Sequence, residues 1–176
     1  LLDHDSDTFT HVSNVCIYTV MLFKQIDISD ETELSTLGQA ALLHDLGKRH
    51  IARNILKKPG TLTSEERAII SQHPRLGFEE LCYRDDLNRD QLLMVYHHHE
   101  KLDGTGYPVG LVGEEIHWTG RLCAVVDVFD AVTGRRPYRK SASAEEALEI
   151  LEKSIGKHFE EEFVCGWSNL VRKTTK

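Results

Sequence analysis

The chain contains ten histidines among its 176 residues, and several of them stand beside carboxylates. His44 and Asp45 form a neighbouring imidazole and carboxylate, a mixed nitrogen and oxygen donor set that divalent metals such as iron and manganese accept. Alone, such a pair is more often a surface ion pair or a helix-end contact. Other candidate ligands fall on four further stretches of the chain, and they are His11, His73, His97, His98, His99 and Asp127.

Asp127 lies inside an apolar run, residues 122–129, where a buried carboxylate is costly unless it is paired or bound to a cation. A salt bridge to Arg121 or a buried helix cap is the alternative. His73 alone would more often be a core histidine bonded to a backbone carbonyl. Side chains on facing helices can converge in a bundle core. Enough of them could hold two metal ions roughly 3.5–4 Å apart, which would suit hydrolysis of a phosphodiester.

The elements that must position these residues are predicted to be helices. Apolar residues recur at three- and four-residue intervals, as from Val12 to Val20, and no run alternates with the period of a strand. Thr63-Ser64-Glu65-Glu66 and Ser143-Ala144-Glu145-Glu146 match the capping box that begins a helix. Pro74 predicts a kink within the third helix. We therefore expect an all-α fold of about seven helices.

The composition is typical of one soluble domain: 40% of the residues are apolar and 28% are charged. The four cysteines lack CxxC spacing, so neither a disulfide framework nor a zinc knuckle is expected. No apolar stretch is long enough to cross a bilayer, and no signal peptide is present, so we expect a cytoplasmic protein without membrane insertion. The net charge of −7 disfavours binding to DNA. An anionic substrate must then be held by local positive charge.

A glycine-rich window, residues 104–120, separates two of the predicted helices. Gly104 and Gly106 allow close backbone approach, and Tyr107 offers a hydroxyl to a phosphate or a ring face to a guanine. A long connection is the plain alternative, although uncovered loops of this length in compact domains are usually functional. Four cations follow the next helix, either as a solvated face or as contacts for phosphate. They are Arg135, Arg136, Arg139 and Lys140.

Taken together, these motifs resemble the HD-GYP domain of bacterial cyclic di-GMP phosphodiesterases. The resemblance rests on His44-Asp45-Leu46-Gly47-Lys48, His98-His99-Glu100, Asp103-Gly104-Thr105-Gly106-Tyr107-Pro108 and Asp127-Val128-Phe129-Asp130-Ala131. Lys58-Pro59-Gly60-Thr61-Leu62-Thr63, His73-Pro74 and Arg136-Pro137-Tyr138-Arg139 follow the family's order too. The resemblance implies an HD-domain bundle with a Gly-Tyr-Pro loop. It also implies metal-dependent hydrolysis of cyclic di-GMP, a second messenger in bacterial signal transduction.

The resemblance covers nearly the whole chain, so residues 1–176 are expected to form a single HD-GYP domain. The chain starts at Leu1-Leu2-Asp3-His4 without a linker, which is compatible with a piece of a longer regulatory protein. Its partners would be the cyclic dinucleotide, an N-terminal sensory or receiver domain, and signalling proteins. The sequence carries no signature of an oligomeric state.

The resemblance also implies roles for individual residues. Two divalent ions, iron or manganese, are expected: His11, His44, Asp45 and Asp127 would hold one, and His73, His98, His99 and the bridging Asp45 the other. Asp45 and Lys48 would be catalytic, with Lys48 on the scissile phosphate, although a solvated lysine at a helix end is the alternative. His97 would be an extra histidine that packs or supports the ligands. Lys48, Tyr107, Arg136 and Arg139 would bind the dinucleotide.

Asp7 occupies the position at which members with three metals carry a glutamate. Aspartate is one methylene shorter, which disfavours a third metal. Members with three metals are associated with cleavage through to GMP, so the expected main product here is the linear dinucleotide pGpG.

Two other functions stay open. One is an HD-superfamily phosphohydrolase for another nucleotide, which the Gly-Tyr-Pro loop disfavours. The other is a module that senses cyclic di-GMP or docks a signalling partner without turnover, which the complete ligand set disfavours.

Overall fold

The computed structural model describes the backbone of residues 6–26, 31–134 and 141–174, and side chains from residue 8 onward. Within these ranges lie nine α-helices, seven of which have nine residues or more, and the 3-10 helices Leu46–His50 and Gly113–Glu115. The α-helices are α1 (Ser6–Ile26), α2 (Glu31–Leu43), α3 (Arg53–Leu56), α4 (Ser64–Ile70), α5 (His73–Leu81), α6 (Arg89–His97), α7 (Trp118–Thr133), α8 (Ala144–Glu152) and α9 (Glu161–Thr174). No β-strand occurs in the described ranges. The prediction of an all-α fold is confirmed.

Local sequence signals explain where several helices begin. At the start of α4, the Glu66 amide donates to Thr63 Oγ1 at 3.2 Å, and the Thr63 amide donates to the Glu66 carboxylate at 2.8 Å. Ser143 and Glu146 form the same reciprocal cap on α8. Both predicted capping boxes are therefore present, and they relieve the unpaired amides of a helix start.

The predicted kink at Pro74 is wrong, because the helix ends there instead of bending. The stretch divides into α4, which ends at Ile70, and α5, which begins at His73. Pro74 lies in the first turn of α5, where a missing amide donor costs nothing. His73 consequently stands at the start of a helix rather than in its middle.

Helix α7 runs through the centre of the bundle. Leu122, Val125 and Val126 have no exposed surface, and α7 packs against α1, α6, α8 and α9. On one side an aromatic cluster completes the core, where the ring of Trp167 lies 5.1 Å from that of Phe129 between ring centroids. Because most of α7 is buried, three of its polar side chains are buried as well: Thr119, Asp127 and Asp130.

A close backbone contact joins the 3-10 helix Leu46–His50 to α5. A Cβ atom on Gly47 would lie 1.9 Å from the His73 carbonyl oxygen and 2.5 Å from the Gly77 amide nitrogen. Only glycine permits this approach, and the approach brings Asp45 next to His73.

In the described part of the chain, none of the helices combines the length and the apolar character that crossing a bilayer requires.

Gly47→Ala should lower the free energy of unfolding by about 2 kcal/mol or more, because the added methyl overlaps backbone that cannot move alone. Urea denaturation followed by circular dichroism measures the change. Gly38→Ala is the matched control, since a Cβ there meets side-chain atoms and no backbone: a Val20 methyl at 3.3 Å and Cys16 Sγ at 3.5 Å. Equal midpoints for the two variants would contradict the proposed constraint.

Candidate metal centre

Asp45 lies at the centre of a cluster of imidazoles. Its Oδ1 is 3.2 Å from Nε2 of His73 and 3.8 Å from Nε2 of His98. Its Oδ2 is 3.4 Å from Nε2 of His44 and 3.6 Å from Nε2 of His11. The two oxygens of one carboxylate therefore face two different pairs of histidines.

Helix ends determine the tautomer of three of these histidines. The Nδ1 atoms of His44, His73 and His98 each lie within 2.8 Å of a backbone carbonyl three residues earlier. A carbonyl oxygen only accepts, so in each ring Nδ1–H donates, and Nε2 presents a lone pair when the ring is neutral. The accepting carbonyls belong to Ala41, Ile70 and Val95.

Asp127 contributes a second carboxylate from α7. Its Oδ1 lies 3.2 Å from His11 Nε2 and 3.9 Å from His44 Nε2, and its Oδ2 lies 3.8 Å from His99 Nδ1. Asp127 therefore reaches the same cluster from the opposite helix.

The alternative explanation of Asp127, a salt bridge to Arg121, is wrong. Nη1 of Arg121 lies 3.1 Å from the carboxylate of Glu160. Arg121 stands in the first turns of α7, on the side that faces the start of α9, whereas Asp127 faces the histidines.

The donor set fits a divalent metal. The Nε2 atoms of His73 and His98 are 3.2 Å apart, and two lone pairs at this distance repel unless a cation or proton lies between them. His44 Nε2 and Asp45 Oδ1 are buried and have no hydrogen-bond partner among the residues that the structure describes. Donor atoms lie within 4.8 Å of one another in two groups: Asp45, His73, His98 and His99, and His11, His44 and Asp45. The cluster could therefore hold metal ions through nitrogen and oxygen ligands.

The charges of the cluster keep the two carboxylates ionised. Burial alone would raise the pKa of Asp45, but the nearby positive charges of His44 and Lys48 hold it well below its usual range. Burial opposes ionisation of Asp127 too, and the hydrogen bond from His11 lowers its pKa. Both side chains are therefore anionic at neutral pH and available as ligands.

The imidazoles respond to the cluster in opposite ways. Burial lowers the pKa of His98, and it lowers the pKa of His99 to about 3, so both rings stay neutral and can bind a metal. Burial would also lower the pKa of His11, but hydrogen bonds to Asp127, Asp130 and Asp45 raise it to about 11. The carboxylates around His11 thus stabilise positive charge.

Lys48 and Tyr107 lie beside the cluster. The Lys48 ammonium contacts the Asp45 carboxylate directly, and its side chain is one-third exposed. The Tyr107 ring lies 4.7 Å from the His99 ring between centroids. Burial and the negative charges of Asp127 and Asp45 raise the pKa of Tyr107, so its hydroxyl remains a hydrogen-bond donor.

The remaining candidate site residues lie outside the cluster or outside the described residues. His97 Nδ1 accepts from the His117 amide at 3.0 Å, at the start of α7, so of the two expected roles this contact is one of packing. The side chain of Asp7, and all of Arg136 and Arg139, fall outside the described residues.

Sequence reasoning assigned no role to Asp130 and did not select Asn14. Asp130 Oδ2 accepts from Nδ1–H of His11 at 2.7 Å, and Asn14 Nδ2 donates to Asp130 Oδ1 at 2.8 Å. The pair leaves Nε2 of His11 free to face Asp45 and Asp127. The available signal was helical spacing, because Asp130 follows Asp127 by three residues within an apolar helix and Asn14 follows His11 by three.

Fold and site together define an all-α domain with a buried histidine and aspartate centre. The chain belongs to the HD domain family, whose family model matches residues 3–163. Its similarity to curated phosphodiesterases and to a solved structure confirms the resemblance to HD-GYP proteins.

Two curated relatives and one solved structure illustrate the similarity. The chain is 38% identical over 156 residues to cyclic di-GMP phosphodiesterase PA4108 of Pseudomonas aeruginosa, covering 89% of this chain and 37% of the relative. It is 38% identical over 148 residues to 3'3'-cGAMP-specific phosphodiesterase 3 of Vibrio cholerae, covering 84% and 32%. The chain thus spans about a third of the length of these two relatives.

The fold also matches Bd1817, an HDG"Y"P protein from Bdellovibrio bacteriovorus, with a TM-score of 0.79 and 19% identity. The match covers 98% of this chain and 55% of the other. At this identity the similarity establishes the fold alone, and it supports the helical bundle described above.

Asp130→Asn should weaken binding of Mn²⁺ by about 10- to 100-fold, because a neutral amide holds the His11 tautomer and its basicity less firmly than a carboxylate. Isothermal titration of the metal-free protein measures the affinity. Glu80→Gln is the matched control, since it neutralises a carboxylate that pairs with the exposed His50 at 2.7 Å. Unchanged affinity in Asp130→Asn would disprove the positioning role.

Proposed function

We propose that this domain hydrolyses a phosphodiester bond of a cyclic dinucleotide, with cyclic di-GMP as the first candidate. The observation that carries the proposal is Asp45, whose two oxygens face separate pairs of imidazole Nε2 atoms. The name of the Pseudomonas aeruginosa relative supports the substrate. The chain covers only part of that relative, so the activity is proposed for the domain spanning residues 1–176.

The proposed cofactors are two divalent ions, iron or manganese. His11, His44, Asp45 and Asp127 would hold one, and His73, His98, His99 and Asp45 the other. When bound, such a pair supplies a water nucleophile at neutral pH and stabilises the charge that develops on phosphate oxygens. Because Asp7 is short, a third ion is not part of the proposal, and pGpG is the expected main product.

The side chains around this centre would bind and orient the substrate. Lys48 would donate to a non-bridging phosphate oxygen, since its ammonium already contacts the central carboxylate and remains partly exposed. Tyr107 would donate its protonated hydroxyl or place its ring against a base. Arg136 and Arg139 are proposed, from the resemblance alone, to contact phosphate or guanine edges.

Anaerobic reconstitution with Fe²⁺ or Mn²⁺, followed by incubation with cyclic di-GMP and chromatography of the products, tests the proposal. We expect turnover to pGpG that disappears after treatment with a chelator and returns on addition of the metal. Stoichiometric binding of cyclic di-GMP without hydrolysis in every metal form would instead identify a sensory or docking module.

A specific observation favours a second candidate substrate. The Vibrio cholerae relative, at 38% identity, is named a 3'3'-cGAMP-specific phosphodiesterase. Both candidates carry the same phosphodiester and differ in one base, so the same centre could cleave either. Comparing kcat/KM for the two dinucleotides under identical conditions decides between them.

Asp45→Ala should abolish turnover, because it removes the carboxylate that faces both groups of histidines. The helical circular dichroism signal should be retained, since Asp45 lies in a turn after α2 rather than within a helix. Asp86→Ala, which removes an exposed carboxylate paired with Arg84, is the control. Hydrolysis by Asp45→Ala at the wild-type rate would rule out the mechanism.

Lys48→Gln should lower kcat/KM by about 10²- to 10³-fold, the usual loss for a donor that stabilises transition-state charge. The metal content should stay at the wild-type level, because Lys48 is not a proposed ligand. Lys58→Gln serves as the control, since the Lys58 ammonium pairs with Glu66 at 2.7 Å. Equal rates for both variants would remove Lys48 from the catalytic groups.

Regulation by a further sensory or receiver domain, and a cytoplasmic location, stay predictions. The share of the two relatives that this chain covers, 37% and 32%, supports the first of them. Expression of the full-length protein with and without such a domain would test it.

A further inference from the structure

Glu100 follows two of the proposed ligand histidines, yet its carboxylate is used elsewhere. The residue is buried, with 3% of its surface exposed. Its two oxygens accept from three consecutive backbone amides of the glycine-rich loop, at 2.7 Å from Val109, 3.0 Å from Gly110 and 3.1 Å from Leu111. Successive amides that converge on one anion form a strong local site for negative charge.

These contacts distinguish Glu100 from the metal ligands. Neither of the two groups of converging donor atoms includes it, within the part of the chain that the structure describes. A carboxylate whose oxygens already accept four hydrogen bonds has little capacity left for a cation. Glu100 therefore binds the loop, although it directly follows His98 and His99 in the sequence.

The loop contacts the segment His98-His99-Glu100 before, at and after Tyr107. Before it, Gly106 packs so closely that a Cβ atom would lie 2.5 Å from Glu100 Cα. The Tyr107 amide itself donates to the His99 carbonyl at 3.2 Å. After it come the three amides bound by Glu100. Tyr107 is thus fixed between its own backbone bond and the Glu100 carboxylate, with its ring against His99.

We propose that Glu100 is a positioning residue that anchors the loop and so holds Tyr107 over the metal centre. Without the carboxylate, three backbone amides lose a shared acceptor that is charged and buried, which is more costly than losing one exposed bond. The loop would then leave its place while His98 and His99 keep theirs. The effect on substrate rests on the proposed function, whereas the anchoring itself does not.

Glu100→Gln should raise KM for the cyclic dinucleotide by about tenfold or more, the scale of one charge-assisted hydrogen bond. The metal content should be unchanged and kcat should fall by a smaller factor. Glu115→Gln is the matched control, because Glu115 is exposed and accepts from Val112 of the same loop at 2.9 Å. A loss of bound metal in Glu100→Gln, or an equal effect of Glu115→Gln, would overturn the inference.

A double substitution tests whether Glu100 acts through Tyr107. In a Tyr107→Ala background, Glu100→Gln should change KM by less than about twofold, because the group that it positions is already gone. Independent effects that multiply would show that Glu100 supports the fold in general and would contradict the positioning role.

Hydrogen exchange separates this inference from the proposed function. In Glu100→Gln, the amides of residues 109–111 should exchange at least about tenfold faster than in the wild type, while those of α7 should not change. Glu100→Asp keeps the charge with a shorter reach and should give an intermediate rate; it replaces the glutamine variant if that variant fails to fold. Unchanged exchange at residues 109–111 refutes the anchoring even if cyclic di-GMP is hydrolysed. A wild-type protein without any hydrolysis refutes the proposed function and leaves the exchange test valid.

Discussion

The contact between the Asp45 carboxylate and the surrounding imidazole nitrogens is the interaction around which the candidate site is organised. Asp45 is buried, and such a carboxylate is stable only beside groups that offset its charge. Those groups come from elements far apart in the sequence, among them α1, the start of α5 and the end of α6. The bundle must therefore be assembled before the cluster exists, and Gly47 permits the closest of these approaches.

The ends of helices serve two purposes at this centre. The last carbonyls of a helix have no partner within it. His44 follows α2, His73 follows α4, and His98 follows the last residue of α6, and each donates Nδ1–H to a carbonyl in the final turn of that helix. One hydrogen bond thus satisfies a free carbonyl and fixes a tautomer. His11 lies inside α1, where the backbone carbonyls already accept from helix amides. Its Nδ1–H therefore donates to the carboxylate of Asp130 on α7 instead.

Short-range sequence patterns predict where helices begin, but not which residues of other elements a side chain contacts. The caps at Thr63 and Ser143 depend on residues three positions apart, so the sequence predicts them directly. Pro74 defines a boundary that the apolar pattern alone does not distinguish from a bend. The histidines and aspartates that meet in the cluster were predictable from the motifs, whereas the contacts of Asp130 and Glu100 were not. Their partners lie on another helix or in a loop whose path depends on tertiary contacts.

The balance of charge links the stability of this centre to its chemistry. Asp45 and Asp127 are anionic, while His98 and His99 are held neutral, so positive charge must come from His11, His44, Lys48 or a bound cation. A divalent ion binds only when the imidazoles and carboxylates meet, and its binding free energy then contributes to folding. At the proposed site such an ion would compete with the proton on His11, because both depend on the same carboxylates. Substitutions in this carboxylate set should therefore change folding stability and metal affinity together. Substitutions of Lys48, at the edge of the cluster, or of Glu100, which binds the loop, should leave metal affinity unchanged.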